Sequence, residues 1–174
     1  DVNAAQIRKD LSYFGSAGTR GVGYEVEDLI EKITGWLGLD RTWNFIIIGA
    51  GLLGTALARY RGFGEQRFRL VAMFDSSATV IGARYGPEES DRVRSVRELD
   101  EFCRKESVDI AMVTVPAGEA ESTVQRLAEA GVKAVLNFAP VKVHAPEGVL
   151  VRQVDLSSEL MSLSFYLDKG QDER

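Results

Sequence analysis

The feature that most constrains the fold is a β-branched run leading directly into a glycine-rich turn. Residues 46–48 are all isoleucine, residues 49–54 have the G-x-G-x-x-G spacing, and a helical pattern begins at once. In a strand–turn–helix unit of this kind, the helix N-terminus offers bare N–H groups and a positive dipole end to phosphates. The predicted phosphate-binding residues are Gly49, Ala50, Gly51, Leu52, Leu53 and Gly54. The turn therefore indicates a dinucleotide ligand, without indicating whether that ligand reacts.

Each glycine of the turn has its own predicted task, and an acidic residue supports the interpretation. Gly49 permits the tight bend, Gly51 lets a pyrophosphate approach the backbone, and Gly54 lets the helix pack closely on the sheet. Asp75 ends the next predicted strand, where a carboxylate binds a ribose 2′-hydroxyl and repels a 2′-phosphate, which favours NAD(H) over NADP(H). The alternative is a tight turn with no ligand, and the strand, helix and acid together argue against it.

Composition is that of an ordinary globular chain. The 174 residues suit one sizeable domain plus a small one, with 45% hydrophobic and 27% charged residues. No apolar stretch approaches the roughly 18 residues of a membrane span, and the single cysteine, Cys103, fits a cytoplasmic protein with a packed thiol. With one cysteine and one histidine, the sequence has no Cys/His cluster, so no metal site is predicted. The net charge of −5 argues against a nucleic-acid coat throughout, and leaves room for a local basic segment.

Strands and helices alternate after residue 43. The predicted strands are 43–48, 68–74, 108–114, 133–137 and 149–152, and the predicted helices are 52–60, 95–105 and 118–130. A short irregular stretch is expected around Ile81, and Gly131 is the expected C-cap of the third helix. This order predicts an α/β fold with a doubly wound parallel sheet, right-handed crossovers and ligands at the carboxyl ends of the strands.

The first forty residues have a different organisation. A helix with a capping-box start and apolar residues at Ile7, Leu11 and Phe14 is followed by four glycines within residues 15–23 and then by an amphipathic helix that ends near Gly38. This order is typical of the second half of a winged-helix DNA-binding module. The residues placed to contact DNA are Arg8, Lys9, Ser12, Tyr13, Thr19 and Arg20. The alternative, that Arg8 and Lys9 lie on a merely solvated helix face, stays open.

The tail carries too much apolar surface for a free helix. Leu156, Leu160, Leu163 and Leu167 recur at helical spacing, so the helix packs either on its own sheet or on a partner. The residues alone leave both possibilities open. The predicted division of the chain is 1–40 for the partial winged helix, 41–154 for the dinucleotide-binding domain and 155–174 for the tail.

Several segments together resemble the Rex family of bacterial redox-sensing transcriptional repressors, over nearly the whole chain. They are residues 4–15, 20–24, 49–54, 60–63, 137–140, 154–156 and 163–167. The resemblance implies a Rossmann sheet preceded by a partial winged helix and followed by a domain-swapped C-terminal helix. It also implies a homodimer that binds double-stranded operator DNA when NADH is scarce and releases it when NADH binds, while NAD⁺ competes poorly.

The resemblance also implies roles for particular residues. Asp75 takes the adenosine ribose, and Tyr60 and Asp155 form a redox switch with a winged-helix arginine expected before residue 1. The residues that line the nicotinamide region and its surroundings are Val115, Pro116, Asn137, Phe138, Ala139 and Pro140. Leu52 departs from the polar residue that many relatives have, with little expected effect. Two helices of the winged helix are also expected before residue 1, so we expect residues 1–174 alone to bind NADH, dimerise and bind DNA poorly.

Two other functions were weighed against this one. An NAD-dependent dehydrogenase needs a proton donor or acceptor beside its substrate, and the candidates are His144, Tyr60 and Lys142. His144 is expected in a surface loop, and no second substrate-binding domain is evident, so no catalytic residue is predicted. A CoA-binding Rossmann module has a similar core, but Asp75 and the winged-helix segment argue against it.

Overall fold

The computed structural model describes Asn3, Gln6, Lys9, Ser12, Tyr13, Gly23 and residues 25–169. The chain divides into two compact units, residues 1–42 and residues 43–174. In the first unit, the four described residues from Gln6 to Tyr13 are helical, and helix α1 spans Val26–Trp36. Arg8, Thr19 and Arg20, and residues 15–22 of the glycine-rich segment, lie outside the described residues.

The second unit is built on a six-stranded sheet in which every pairing is parallel. Its strands are β1 (Trp43–Ile48), β2 (Phe68–Asp75), β3 (Arg94–Ser95), β4 (Ile110–Val113), β5 (Ala134–Asn137) and β6 (Leu150–Gln153). The order across the sheet is β3-β2-β1-β4-β5-β6. This is the doubly wound Rossmann order, which confirms the predicted fold class, and the direction of winding changes between β1 and β4. A crevice is expected at the carboxyl ends of those two strands.

Five α-helices lie within residues 43–169, the described part of this unit. They are α2 (Leu52–Ala58), α3 (Gly62–Glu65), α4 (Leu99–Lys105), α5 (Ala117–Glu129) and α6 (Leu156–Lys169). As predicted, Gly131 follows α5 with a φ of +93°, in the left-handed region that ends helices.

Two predicted helices have different bounds in the structure. The helix predicted over 52–60 ends at Ala58, because the chain turns into α3. The helix predicted over 95–105 is wrong at its start, since Arg94 and Ser95 pair with β2 as an unpredicted strand. A 3-10 turn at Val96–Glu98 then precedes α4, and the Ser95 hydroxyl oxygen accepts a hydrogen bond from the backbone N–H of Arg97 at 3.3 Å. A two-residue edge strand is too short to give a period in the sequence.

The alternating side chains of β1 face two separate hydrophobic clusters. Ile46 and Ile48 pack with residues of α4 and α5, including Leu99 and Leu127. Phe45 and Ile47 belong to the other cluster, against which α2 and α3 pack. Because both faces of β1 are covered, its side chains are almost all apolar, as expected for a central parallel strand.

We expect the Leu127→Ala substitution to lower the free energy of unfolding by about 2–5 kcal/mol, because the Leu127 side chain is fully buried and its loss leaves a cavity. Leu150→Ala is the matched control: Leu150 is 61% exposed, and its truncation should change stability by no more than about 0.5 kcal/mol. Urea unfolding followed by circular dichroism measures both values. Equal losses for the two variants would contradict the assignment of the core.

Candidate dinucleotide-binding site

The carboxyl ends of the strands open into a crevice of about 810 Å³ at the point where the winding changes direction. Eight of the predicted ligand-binding residues line it: Gly49, Gly51, Leu53, Asp75, Val115, Pro116, Phe138 and Pro140. The volume lies within the range of roughly 300–1,000 Å³ that is usual for small-molecule sites. The crevice is therefore large enough for an extended ligand, and it lies where doubly wound folds bind nucleotides.

Two of the turn glycines are required by backbone packing. Gly49 has a φ of +105°, and a Cβ there would lie 2.7 Å from the carbonyl oxygen of Thr114. At Gly54, a Cβ would overlap the carbonyl oxygen of Gly49 and lie 2.8 Å from the Thr114 hydroxyl oxygen. These contacts give the tight bend and the close approach of helix to sheet that were predicted for the two positions.

Gly51 differs from the other two glycines because nothing inside the protein requires it. Its φ is −72°, and a Cβ at this position would have no heavy atom within 4 Å. The residue lines the crevice, so the space above its backbone faces the cavity. This is the cradle that a phosphate needs for close approach to backbone N–H groups, and the residues of the turn fit that group.

Thr114 is a central residue of the site that the sequence analysis did not select. Its side-chain oxygen lies 2.8 Å from the Gly49 carbonyl oxygen and 3.1 Å from that of Ile48, so the hydroxyl donates to this pair of acceptors. The bonds join the end of β4 to the glycine turn. Its only signal in the sequence was its position directly after β4, which lies next to β1, the strand that leads into the glycine turn.

Asp75 lies beside the glycine turn and lines the crevice. One carboxylate oxygen accepts a hydrogen bond from the backbone N–H of Ala50 at 2.6 Å, and the other accepts from the N–H of Ser77 at 2.7 Å. An ionised carboxylate has about four acceptor positions, so both oxygens retain capacity for a ligand hydroxyl. Its role toward a ribose stays a prediction, and its contact with the turn was not foreseen.

Asn137 and Ala139 do not line the crevice, contrary to the prediction that they would. Asn137 is fully buried; its amide nitrogen donates to the Val141 carbonyl oxygen at 3.0 Å and to the Gln153 side-chain oxygen at 2.8 Å. Its side-chain oxygen accepts from the N–H of Ala139 at 3.1 Å. A buried amide must satisfy its hydrogen bonds, so Asn137 positions the loop that brings Phe138 and Pro140 to the cavity.

Three other predicted residues also lie outside the wall of the crevice. Leu52 is 96% exposed, and with Ala50 it borders a separate shallow cleft over α2. Gly54 is buried beneath the turn. The small effect expected of the apolar side chain of Leu52 stays a prediction.

One wall of the crevice is formed by helices that the sequence analysis did not connect with the site. Its residues are Val96, Leu99, Glu119, Ser122, Thr123 and Arg126. Arg126 donates to both carboxylate oxygens of Asp100, from Nε at 3.1 Å and from Nη2 at 2.9 Å. The hydrogen bond from Arg126 lowers the pKa of Asp100, and the same bond raises the pKa of Arg126. On an amphipathic helix, such residues have the same pattern as an ordinary solvated face.

The predicted switch residues have local roles in the structure. Tyr60 is 62% exposed, and its ring lies 5.0 Å from that of Phe63 in an edge-to-face arrangement. Asp155 caps α6, because its side-chain oxygen accepts from the N–H groups of Ser157 at 3.0 Å and Ser158 at 3.3 Å. Their role as a switch stays a prediction.

The described residues of the predicted DNA-binding helix, Lys9, Ser12 and Tyr13, are exposed to solvent. The Ser12 hydroxyl donates to the Lys9 carbonyl oxygen at 2.6 Å, Lys9 is exposed, and Tyr13 is 68% exposed. These observations are compatible with contact to a nucleic acid, which stays a prediction for all six residues.

The candidate catalytic histidine lies in a surface loop, as expected. The His144 side chain is 97% exposed and lies 3.1 Å from a Glu121 carboxylate oxygen. Cys103 is half-buried against the core, and this burial raises the pKa of its thiol, as is typical of a packed cysteine. The described part of the chain contains no group of three or more His, Cys, Asp or Glu residues able to hold a metal ion. No helix within that same part is long and apolar enough to cross a membrane.

Comparison with known proteins gives two levels of similarity. Residues 40–141 match the family model of the CoA binding domain. The chain is 46% identical over 164 residues to the redox-sensing transcriptional repressor Rex of Carboxydothermus hydrogenoformans, and the match covers 94% of this chain and 77% of the relative.

Two solved structures of RSP, a Rex-family repressor, are also similar to this chain. The complex of RSP with NAD⁺ and operator DNA has a TM-score of 0.83 and 38% identity, over 98% of this chain and 77% of that one. The complex of RSP with NADH has a TM-score of 0.78 and 36% identity, and the match covers 98% of this chain and 78% of that one. The CoA-binding match is confined to the Rossmann part, whereas the similarity to Rex proteins extends over both units.

Stability measurements on two glycine variants test the geometry of the turn. We expect Gly54→Ala to lower the free energy of unfolding by about 1–3 kcal/mol or more, because its methyl group has no room against the Gly49 backbone. Gly51→Ala is the matched control, which should change stability by no more than about 0.5 kcal/mol, since its methyl group enters open space. Denaturant unfolding of the protein without ligand gives both values, and a Gly51→Ala loss as large as that of Gly54→Ala would contradict this geometry.

Proposed function

We propose that this chain, which belongs to the Rex family of redox-sensing transcriptional repressors, is the NADH-sensing part of a homodimeric repressor that binds operator DNA and releases the DNA when NADH occupies the crevice at Gly51. The observation that carries the proposal is the crevice at the carboxyl ends of β1 and β4, where the winding of the sheet changes direction, in a chain that is similar to RSP over both units. RSP has been solved both with NAD⁺ and operator DNA and with NADH. Cytoplasmic location follows from this role.

NADH serves here as a regulatory ligand rather than as a hydride donor. The turn at Gly49 and Gly51 holds the pyrophosphate, the Asp75 carboxylate holds the adenosine ribose, and Phe138 and Pro140 border the nicotinamide. Relatives that share this sequence over most of its length are named repressors rather than enzymes. The candidate acid–base residue of a dehydrogenase, His144, is 97% exposed in its loop.

The tail helix α6 is the proposed dimer contact. Leu160, Leu163 and Leu167 are 68%, 60% and 71% exposed, and they lie at helical spacing on the same side of α6. Contiguous exposed apolar side chains of this size are typical of association surfaces. A second copy of the chain supplies the matching surface, in a swapped arrangement that would bury α6 against the partner.

Asp155 links the proposed dimer contact to the proposed switch. Its carboxylate caps α6, so a change in its hydrogen-bond partners would alter the start of that helix. Tyr60 and Asp155 are proposed to respond to the ligand, and Arg8, Lys9, Ser12, Tyr13, Thr19 and Arg20 to contact the operator. A ligand shifts a two-state equilibrium only by binding one state better, so NADH must bind the DNA-free arrangement more tightly.

Operator release is the experiment that tests the proposed function. Fluorescence anisotropy of the operator duplex used with RSP, mixed with the intact protein at fixed salt, should show release on addition of NADH and much weaker release with NAD⁺. Gly51→Ala should need at least about tenfold more NADH, because its methyl group occupies the phosphate cradle, while its DNA affinity without ligand stays unchanged. DNA binding that NADH does not change would contradict the proposal, and turnover of NADH with a carbonyl substrate would favour a dehydrogenase.

Association through α6 has a separate test. We expect Leu163→Asp to shift the protein from dimer to monomer, because a carboxylate would be buried at the contact without a partner. Ser162→Asp, which adds the same charge on the side of α6 turned away from Leu160 and Leu167, is the control and should remain dimeric. Analytical ultracentrifugation across a dilution series measures both. A monomeric unsubstituted protein, or a Leu163→Asp dimer of unchanged affinity, would contradict the α6 contact.

A further inference from the structure

One ion pair joins the two helices that form the outer wall of the crevice. Arg126 lies in the last turn of α5, and Asp100 lies in the first turn of α4. The two bonds from Nε and Nη2 hold the guanidinium plane in a fixed orientation. Arg126 also lines the crevice, whereas Asp100 is not part of its lining. Arg126 therefore lines the cavity, and the Asp100 carboxylate, which does not, fixes the orientation of its guanidinium.

The position of this pair along the crevice identifies what part of a ligand it meets. In the proposed binding mode, the pyrophosphate lies at the end of β1 and the adenosine ribose at Asp75, the end of β2. Val96 and Leu99 follow β3, which is the next strand outward. Asp100 directly follows Leu99, and its bonds to Arg126 place the guanidinium beside the first turn of α4, the helix that follows β3. The group attached to the far side of the ribose is the adenine base.

The chemistry of this end suits a purine. The half-buried Val96 supplies apolar surface, and the guanidinium supplies a flat cation that attracts an aromatic face or a ring nitrogen. Recognition of a phosphate is less favourable here, because Asp100 already occupies the Nε–Nη2 edge with which arginine binds oxyanions. The neighbouring carboxylate also repels an added anion.

We propose that Arg126, held in place by Asp100, contacts the adenine base of the bound dinucleotide, with Arg126 as a binding residue and Asp100 as its positioning residue. This inference rests on the proposed function, since it assumes that NADH occupies the crevice. It assigns adenine recognition to a pair of residues far from the glycine motif in sequence.

The test compares NADH with reduced nicotinamide mononucleotide, which lacks the adenosine monophosphate half and keeps the nicotinamide-side phosphate. Binding of each is followed by nicotinamide fluorescence for the unsubstituted protein, Arg126→Ala, Arg126→Lys and Asp100→Asn. Arg126→Ala should weaken NADH binding about fivefold to thirtyfold, the range of a cation–aromatic contact, and leave the mononucleotide unchanged. Arg126→Lys and Asp100→Asn should give smaller losses confined to NADH, because they remove the planar group or its support.

A matched control lies on the same helix. Glu101 and Lys105 form an exposed ion pair at 2.6 Å on α4, and neither residue lines the crevice. Glu101→Gln should change the affinity of neither ligand. Urea unfolding of each variant separates loss of fold from loss of binding, and the two conservative variants keep the test informative where Arg126→Ala does not fold.

The outcomes separate this inference from the function on which it rests. Unchanged NADH affinity in Arg126→Ala would overturn the adenine contact, as would equal loss for NADH and the mononucleotide, which would indicate a distorted site or a contact with the nicotinamide-side phosphate that both ligands carry. In either case NADH binding by the unsubstituted protein still supports the proposed function. Failure of the unsubstituted protein to bind NADH would overturn both.

Discussion

The site depends on the close approach of three backbone segments at the end of the sheet. Gly49 and Gly54 have no room for a Cβ because the Thr114 and Gly49 backbones lie against them, and the Thr114 hydroxyl hydrogen-bonds to the Gly49 carbonyl oxygen. The contact fixes α2 against β1 and β4. Packing at Gly49 and Gly54 holds the turn on its protein side, and the backbone at Gly51 faces the crevice, where a ligand can approach it. A rigid turn of this kind binds phosphate at little cost in ordering.

Around this contact, the residues proposed to bind the pyrophosphate, the adenosine ribose and the nicotinamide line one crevice. The Asp75 carboxylate bonds to the turn itself, so the proposed ribose contact and the phosphate cradle are mechanically connected. The loop carrying Phe138 and Pro140 is held by the buried Asn137 amide. Such supported contacts suit a sensor, whose response depends on binding one arrangement of the protein better than another.

The sequence predicted the parts of this structure that leave a local pattern. The buried isoleucines of β1, the glycine spacing and the alternation of strands and helices were sufficient for the fold class and for four lining residues, Gly49, Gly51, Leu53 and Asp75. The other four, Val115, Pro116, Phe138 and Pro140, came from the resemblance to the Rex family. Thr114 and Arg126 were missed because their roles arise from contacts with residues distant in sequence. Thr114 bonds to Gly49 at the end of another strand, and Arg126 bonds to Asp100 on another helix. Asn137 was assigned to the lining from the resemblance of residues 137–140 to the Rex family, and a resemblance in sequence does not show which of these side chains is buried.

The central claim is that NADH and DNA binding are coupled, and reciprocal affinity measurements test it most directly. If NADH weakens operator binding by some factor, operator DNA must weaken NADH binding by the same factor. Titration calorimetry of NADH into the intact protein, with and without saturating operator duplex at one salt concentration, measures the second factor. The account predicts two equal factors well above one. The same NADH affinity in the presence and absence of operator DNA would contradict it.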